Sequence, residues 1–173
     1  MSNDTIAGSG LEKMFYGQIL SILVIIPLVG WIAAIVGIVL FLVGLHEAAG
    51  ADEGYRTAFY VEIGILVLSV LAVFIGVLNI VTSILSLVVI YLVCTTTAGL
   101  LEVKGDLGTA ARGRFAWKFY GGCTALVVVC SILSLIPLVN ILAMVVIVPA
   151  SIASVVGGIL LLIFLYRACK SLR

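Results

Sequence analysis

The chain has 173 residues, of which 64% are hydrophobic and only 10% charged, with a mean hydropathy of +1.41. Soluble domains carry roughly 25% charged residues, so this composition excludes an ordinary soluble fold and predicts an integral membrane protein. The net charge of +1 gives no field for a polyanion, and nucleic acid is not expected as a partner.

The first ten residues, Met1 to Gly10, lack the basic region of a cleavable signal and carry one charge, Asp4. The first hydrophobic run is therefore expected to stay in the mature protein. Three charge-free runs follow, Met14 to Leu45, Ile63 to Leu101 and Phe119 to Tyr166, of 32, 39 and 48 residues. A helix rises about 1.5 Å per residue and the hydrocarbon core is about 30 Å thick, so roughly 20 residues cross once. The second and third runs each predict two crossings. The first also reaches two when extended to Leu11 and Ala49, which leaves Glu12, Lys13 and His46 at the headgroups.

The nine Lys and Arg and eight Asp and Glu residues all fall in segments 1–13, 46–62, 102–118 and 167–173. Six crossings put these segments on one side and leave the turns near Pro27, Asn79 and Pro137 uncharged. The expected fold is thus an all-α membrane bundle, a single domain over 1–173. It is built as three tandem same-direction hairpins, about 11–49, 55–104 and 110–172. Basic residues stay in the cytoplasm, which assigns both termini and both charged loops to that side of the plasma or inner membrane. Tyr16, Tyr55, Tyr60, Trp117, Tyr120 and Tyr166 fit an aromatic belt at the same boundary, with Trp31 at the opposite one.

Internal repeats support three units. Ser21 to Val29 returns as Ser131 to Val139 with seven of nine positions identical, each hairpin opens on Phe-Tyr, and the first two close on G-L-x-E-x-x-G at Gly44 to Gly50 and Gly99 to Gly105. Pro149 lies well inside the last run and predicts a kinked sixth helix or a short interfacial piece before it.

Close helix packing in lipid relies on small residues and polar contacts. Gly30, Gly37 and Gly44 recur every seven residues, Ala72 pairs with Gly76, and Ser154 with Gly158 at small-xxx-small spacing. These faces serve packing within the chain, or leave one face for a second copy or a partner membrane protein.

Among polar positions, Glu62 lies about 9 Å deeper along its helix than Arg56, and an intramembrane carboxylate suggests a proton or cation path. The plainer alternative is a carboxylate that snorkels to Arg114 or Lys118. Gln18 and the cluster Thr95, Thr96 and Thr97 are the other candidates for a polar core, although Thr commonly bonds back to its own helix. Cys94, Cys123, Cys130 and Cys169 show no metal-ligand spacing and the one His is His46, so no metal, cofactor or catalytic site is expected. The basic and aromatic loop 102–118 reads as headgroup anchoring, or as a docking surface for anionic lipid or a cytoplasmic protein.

The G-L-x-E-x-x-G endings, followed by an acidic loop and Arg56-Thr57-Ala58-Phe59-Tyr60, resemble small prokaryotic polytopic membrane protein families of the domain-of-unknown-function type. The hairpin tips look like those of Yip-domain membrane proteins. The likeness covers Leu11 to Gly105, implies a helical membrane fold and carries over no functional residue. The first expectation for function is a non-enzymatic membrane module that assembles through its Gly, Ser and Ala faces with itself or with a membrane partner, with membrane lipids around it. The second is a small channel or carrier that uses Glu62 and the threonines, and the third a hairpin wedge that shapes membranes.

Overall fold

The computed structural model describes residues 3–23, 29–133 and 140–172, with side chains described except at 29 and 140–144. Among the described residues it is all-α, with six helices: α1 Asn3–Ile22, α2 Val29–Ala48, α3 Glu53–Ala72, α4 Leu78–Val103, α5 Leu107–Leu133 and α6 Asn140–Leu172. The predicted tips at Pro27 and Pro137 lie outside the described residues. Five helices, α2 to α6, are long and apolar enough to cross a membrane. The sixth predicted crossing, α1, does not reach that threshold, because its 20 residues include Asp4, Glu12 and Lys13. It also starts at Asn3 rather than near Leu11. Ala7, Gly10 and Leu11 are buried against the other helices, and that packing carries the helix through a polar stretch that has little intrinsic reason to be helical.

Each helix packs on its neighbours in the chain, and α1 closes onto α6, so the six form a ring. The most extensive contact is α1 on α2. It is a reciprocal glycine seam: a Cβ on Gly10 would stand 2.5 Å from the Gly44 carbonyl oxygen, and one on Gly17 2.6 Å from that of Gly37. Gly10 and Gly17 are seven residues apart, as are Gly37 and Gly44, so two antiparallel backbones meet twice at heptad spacing. The α5–α6 contact repeats the register with rings in place of one glycine. Gly113 lies against the Phe164 ring, and seven residues on, Gly157 lies against Tyr120, whose Cα is 3.0 Å from where its Cβ would stand. Between α3 and α4 the tie is polar. The buried Thr97 hydroxyl donates to its own helix at Val93 O (2.6 Å), so the Tyr55 hydroxyl must be the donor in their 2.7 Å bond.

Of the small residues expected to pack, Gly37 and Gly44 form the seam, and Gly30, on the same stripe, is buried with Ala72. Gly76 is exposed in the α3–α4 turn and packs on nothing within 4 Å. Gly158 likewise has nothing within 4 Å, since Gly157 holds the close approach, and Ser154 bonds back to Ala150 O. The α3–α4 turn falls at 73–77, ahead of the expected Asn79. Asn79 sits instead in the first turn of α4, donates to Gly76 O, and accepts from Thr82 and Ser83. Pro149 lies inside α6, which continues through it for 33 residues, so no separate piece precedes it.

The G-L-x-E-x-x-G motif marks a helix end with an ion pair. Glu47 pairs with Lys13, and Glu102 with Arg114. At the second copy, Gly105 adopts φ 88°, and the bonds Gly105 N–H to Glu102 O and Asp106 N–H to Leu101 O close a Schellman cap. Asp52 and Asp106 then cap the following helices, accepting from Gly54 N–H (2.7 Å) and Thr109 N–H (3.0 Å). Ser171 also donates to Asp106, which ties the end of α6 to the start of α5. The tightest core gathers near these loops, around Leu11, Leu45, Tyr55, Leu101, Phe164 and Leu172. At the far end Trp31 is 81% and Phe74 83% exposed, as befits side chains bathed in lipid.

Two outcomes follow from this packing. Gly17→Ala is expected to lower stability by about 1–3 kcal/mol, because a Cβ there meets backbone that cannot swing aside, while Gly122→Ala, with nothing within 4 Å, should be neutral or stabilising. Thermal unfolding in detergent measures both. The Asp106 carboxyl is held below its ordinary value of 3.8, first by the Thr109 N–H and then by the Thr109 and Ser171 hydroxyls. Its stabilising share is therefore complete above that value and fades as pH falls through the lowered one. Melting curves of Asp106→Asn should show less loss between pH 5 and acid than wild type.

Candidate functional site

Helical spacing sets the inward stripe of α3. Tyr55, Ala58 and Ile65 are buried, and Glu62 falls at the vacant place in that i, i+3, i+7, i+10 series. Because Tyr55 is locked to Thr97, the carboxylate seven residues on points into the ring. It lines a cavity of about 220 Å³ with Gln18 and Ser21 of α1, Phe41 of α2, Ser86 and Ile90 of α4 and Tyr120 of α5. A smaller space of about 100 Å³ shares Gln18, Phe41, Ile90 and Tyr120 and continues along α6 past Gly158 and Leu161.

The seams position the other polar groups. Gln18 follows Gly17, whose contact with Gly37 fixes the height and rotation of α1. Tyr120 lies against Gly157, which holds the base of its ring to α6. Ser21 donates to Gly17 O (3.0 Å) and Ser86 to Thr82 O (2.9 Å), so each hydroxyl has spent its proton and offers the cavity an acceptor. One turn beyond Tyr120, Thr124 Oγ1 is buried with no hydrogen-bond partner among the described residues.

Glu62, Gln18 and Tyr120 make no hydrogen bond or ion pair with any described residue. Arg114, one of the two cations that the snorkelling alternative names, pairs with Glu102 instead. A charged side chain at the centre of a membrane helix costs about 3 kcal/mol, so a carboxylate left without a protein partner calls for water, a proton or a cation. A volume of about 220 Å³ has room for several waters, since one water needs only about 10–15 Å³ of it, and lies below the roughly 300–1,000 Å³ of sites for drug-sized ligands.

The threonine cluster is not part of this cavity. Thr95 donates to Tyr91 O, Thr96 lies beside Gly54, and Thr97 joins α4 to Tyr55. Thr96 and Thr97 belong to the α3–α4 contact, and Thr95 bonds only within α4. The structure thus brings Gln18 and Glu62 together and sets Thr95, Thr96 and Thr97 apart from them. Ser21 and Ser86 are among the intramembrane hydroxyls the sequence offers but are not among its polar-core candidates, and Tyr120 is assigned there to the aromatic belt. Tyr120 reads as a belt residue from composition, and only its seven-residue offset from Gly113 signals an inward face. Among the described residues no three His, Cys, Asp or Glu side chains gather as metal ligands.

No family model, curated protein or solved structure matches this chain.

The lining predicts a pattern of chemical access. With the four native cysteines replaced, Ser86→Cys in bilayers should react with a small hydrophilic thiol reagent, because Ser86 lines the cavity and a water-filled space would support the thiolate. Val88→Cys, on an exposed position facing outward, should not. Mass-shift labelling compares the two.

Proposed function

We propose that this chain is a small non-enzymatic membrane protein that moves protons or small cations through its interior, with Glu62 as the exchanging group. The observation that supports this reading is the unpartnered Glu62 carboxylate in a cavity with Gln18, Ser21, Ser86 and Tyr120. A carboxylate amid acceptor oxygens and an amide suits a cation or a hydronium, and disfavours an anion. The cavity size favours an ion with a few waters over a metabolite. In this arrangement all six helices cross the plasma or inner membrane as three same-direction hairpins, with α1 held against α2 by the glycine seam. The charged ends face the cytoplasm, following the excess of basic residues there.

Assembly through small-residue faces becomes the second reading. Gly37, Gly44 and Gly157 are consumed by contacts within the chain, while among the described helix glycines Gly64, Gly99, Gly122 and Gly158 have nothing within 4 Å of where a Cβ would stand and are left for a second copy. A wedge that shapes membranes has no separate feature in its favour.

The test is flux through proteoliposomes. Wild-type protein should carry protons or monovalent cations down a gradient, and Glu62→Gln should cut that flux at least about tenfold, the effect of about 1.4 kcal/mol on a barrier. Absence of flux from folded, inserted wild type, or full flux from Glu62→Gln, contradicts the proposal.

A further inference from the structure

Of the contacts around the ring, α2 with α3 is the slightest, and the gap between these two helices changes character along its length. Near the charged end it is a cup of about 260 Å³ lined by His46, Arg56 and Tyr60 and by the α2–α3 loop at Ala49 and Gly50. It continues as a shallow, largely open apolar groove along Val39, Val43 and Ile63, with His46 and Phe59 common to both parts. The shared pair is itself packed, with ring centroids 5.1 Å apart. Lys13 and Arg114 are held by carboxylates, whereas Arg56 makes no ion pair with any described residue and stands exposed at the cup.

We propose that this groove holds one anionic phospholipid. Its phosphate sits in the cup against the Arg56 guanidinium with His46 and Tyr60 as further donors, and one acyl chain lies along Val39, Val43 and Ile63. Two properties select this occupant. The polar and apolar parts join in the order in which a headgroup and its chain would meet them, and the boundary between them falls at the end of the α2 span. A guanidinium at that level forms a forked pair with a phosphate, and basic pockets between membrane helices take anionic headgroups for that reason. A free phosphate would use only the cup and leave the groove empty. The site lies on the outer side of the ring, in different residues from the Glu62 cavity, so its fate does not depend on the transport reading.

The experiment is native mass spectrometry of the purified protein titrated with phosphatidylglycerol or phosphatidylcholine, with inorganic phosphate as competitor. Wild type should retain a single phosphatidylglycerol in preference to phosphatidylcholine, unaffected by millimolar phosphate. Arg56→Gln should weaken retention of the anionic lipid by roughly fivefold, the contribution typical of one basic residue at an anionic surface. Val43→Trp, which fills the groove and leaves the cup intact, should lower retention of both lipids. Lys104→Gln, an exposed cation on the other charged loop, should change neither. Equal loss in Lys104→Gln and Arg56→Gln would show diffuse charge attraction and overturn the site. So would full displacement by inorganic phosphate, or retention indifferent to both Arg56→Gln and Val43→Trp in variants that melt like wild type.

Discussion

The contact on which the rest of this bundle depends is the approach of α1 to α2 at Gly10–Gly44 and Gly17–Gly37. In lipid, apolar side chains gain little by meeting one another, so two helices stay together through close van der Waals packing and backbone contacts. Here each glycine leaves room for the carbonyl of the other helix, and the seven-residue interval fixes the antiparallel register. The same interval governs Gly113–Phe164 and Tyr120–Gly157. A helix as polar as α1 has little reason of its own to lie beside α2, and the seam supplies one.

Fixing the register fixes what faces inward. Gln18 comes to the cavity because it follows Gly17, Tyr120 because it rests on Gly157, and Glu62 because Tyr55 is tied to Thr97. The three therefore reach one space from three different helices by independent packing devices. Near the charged loops the ring is filled by Leu11, Leu45, Tyr55 and Phe164, and the cavity lies on the apolar side of that plug.

Much of the fold was legible in the sequence because its signals are one-dimensional. The charge-free runs predict six crossings, of which five helices, α2 to α6, are long and apolar enough to span, and the heptad of Gly37 and Gly44 marks a real seam. Its partners, Gly10 and Gly17, were passed over because Gly10 lies in a polar stretch that hydropathy assigns to water. The helical extent of α1 was missed for the same reason. Gly76 and Gly158 fit a small-xxx-small pattern yet pack on nothing, since the pattern says nothing of which side faces a neighbour. Glu62 was visible as the deepest acid, and its inward aim was implicit in the series Tyr55, Ala58, Ile65. The threonines misled because density of hydroxyls along a chain does not place them in a common space. Thr95 bonds within its own helix, Thr97 bonds within it and to Tyr55, and Thr96 lies beside Gly54.

The account stands on Glu62 facing a hydrated interior space. Water-edited solid-state NMR of protein in bilayers, with carbon-13 glutamate and Glu62→Gln to assign the signal, reads that contact in the unmodified chain. Magnetisation from water should reach the Glu62 carboxyl carbon about as fast as that of exposed Glu53. Transfer as slow as to a lipid-facing carbon such as that of Val70 would place Glu62 against the membrane or in a dry core, and would contradict the account.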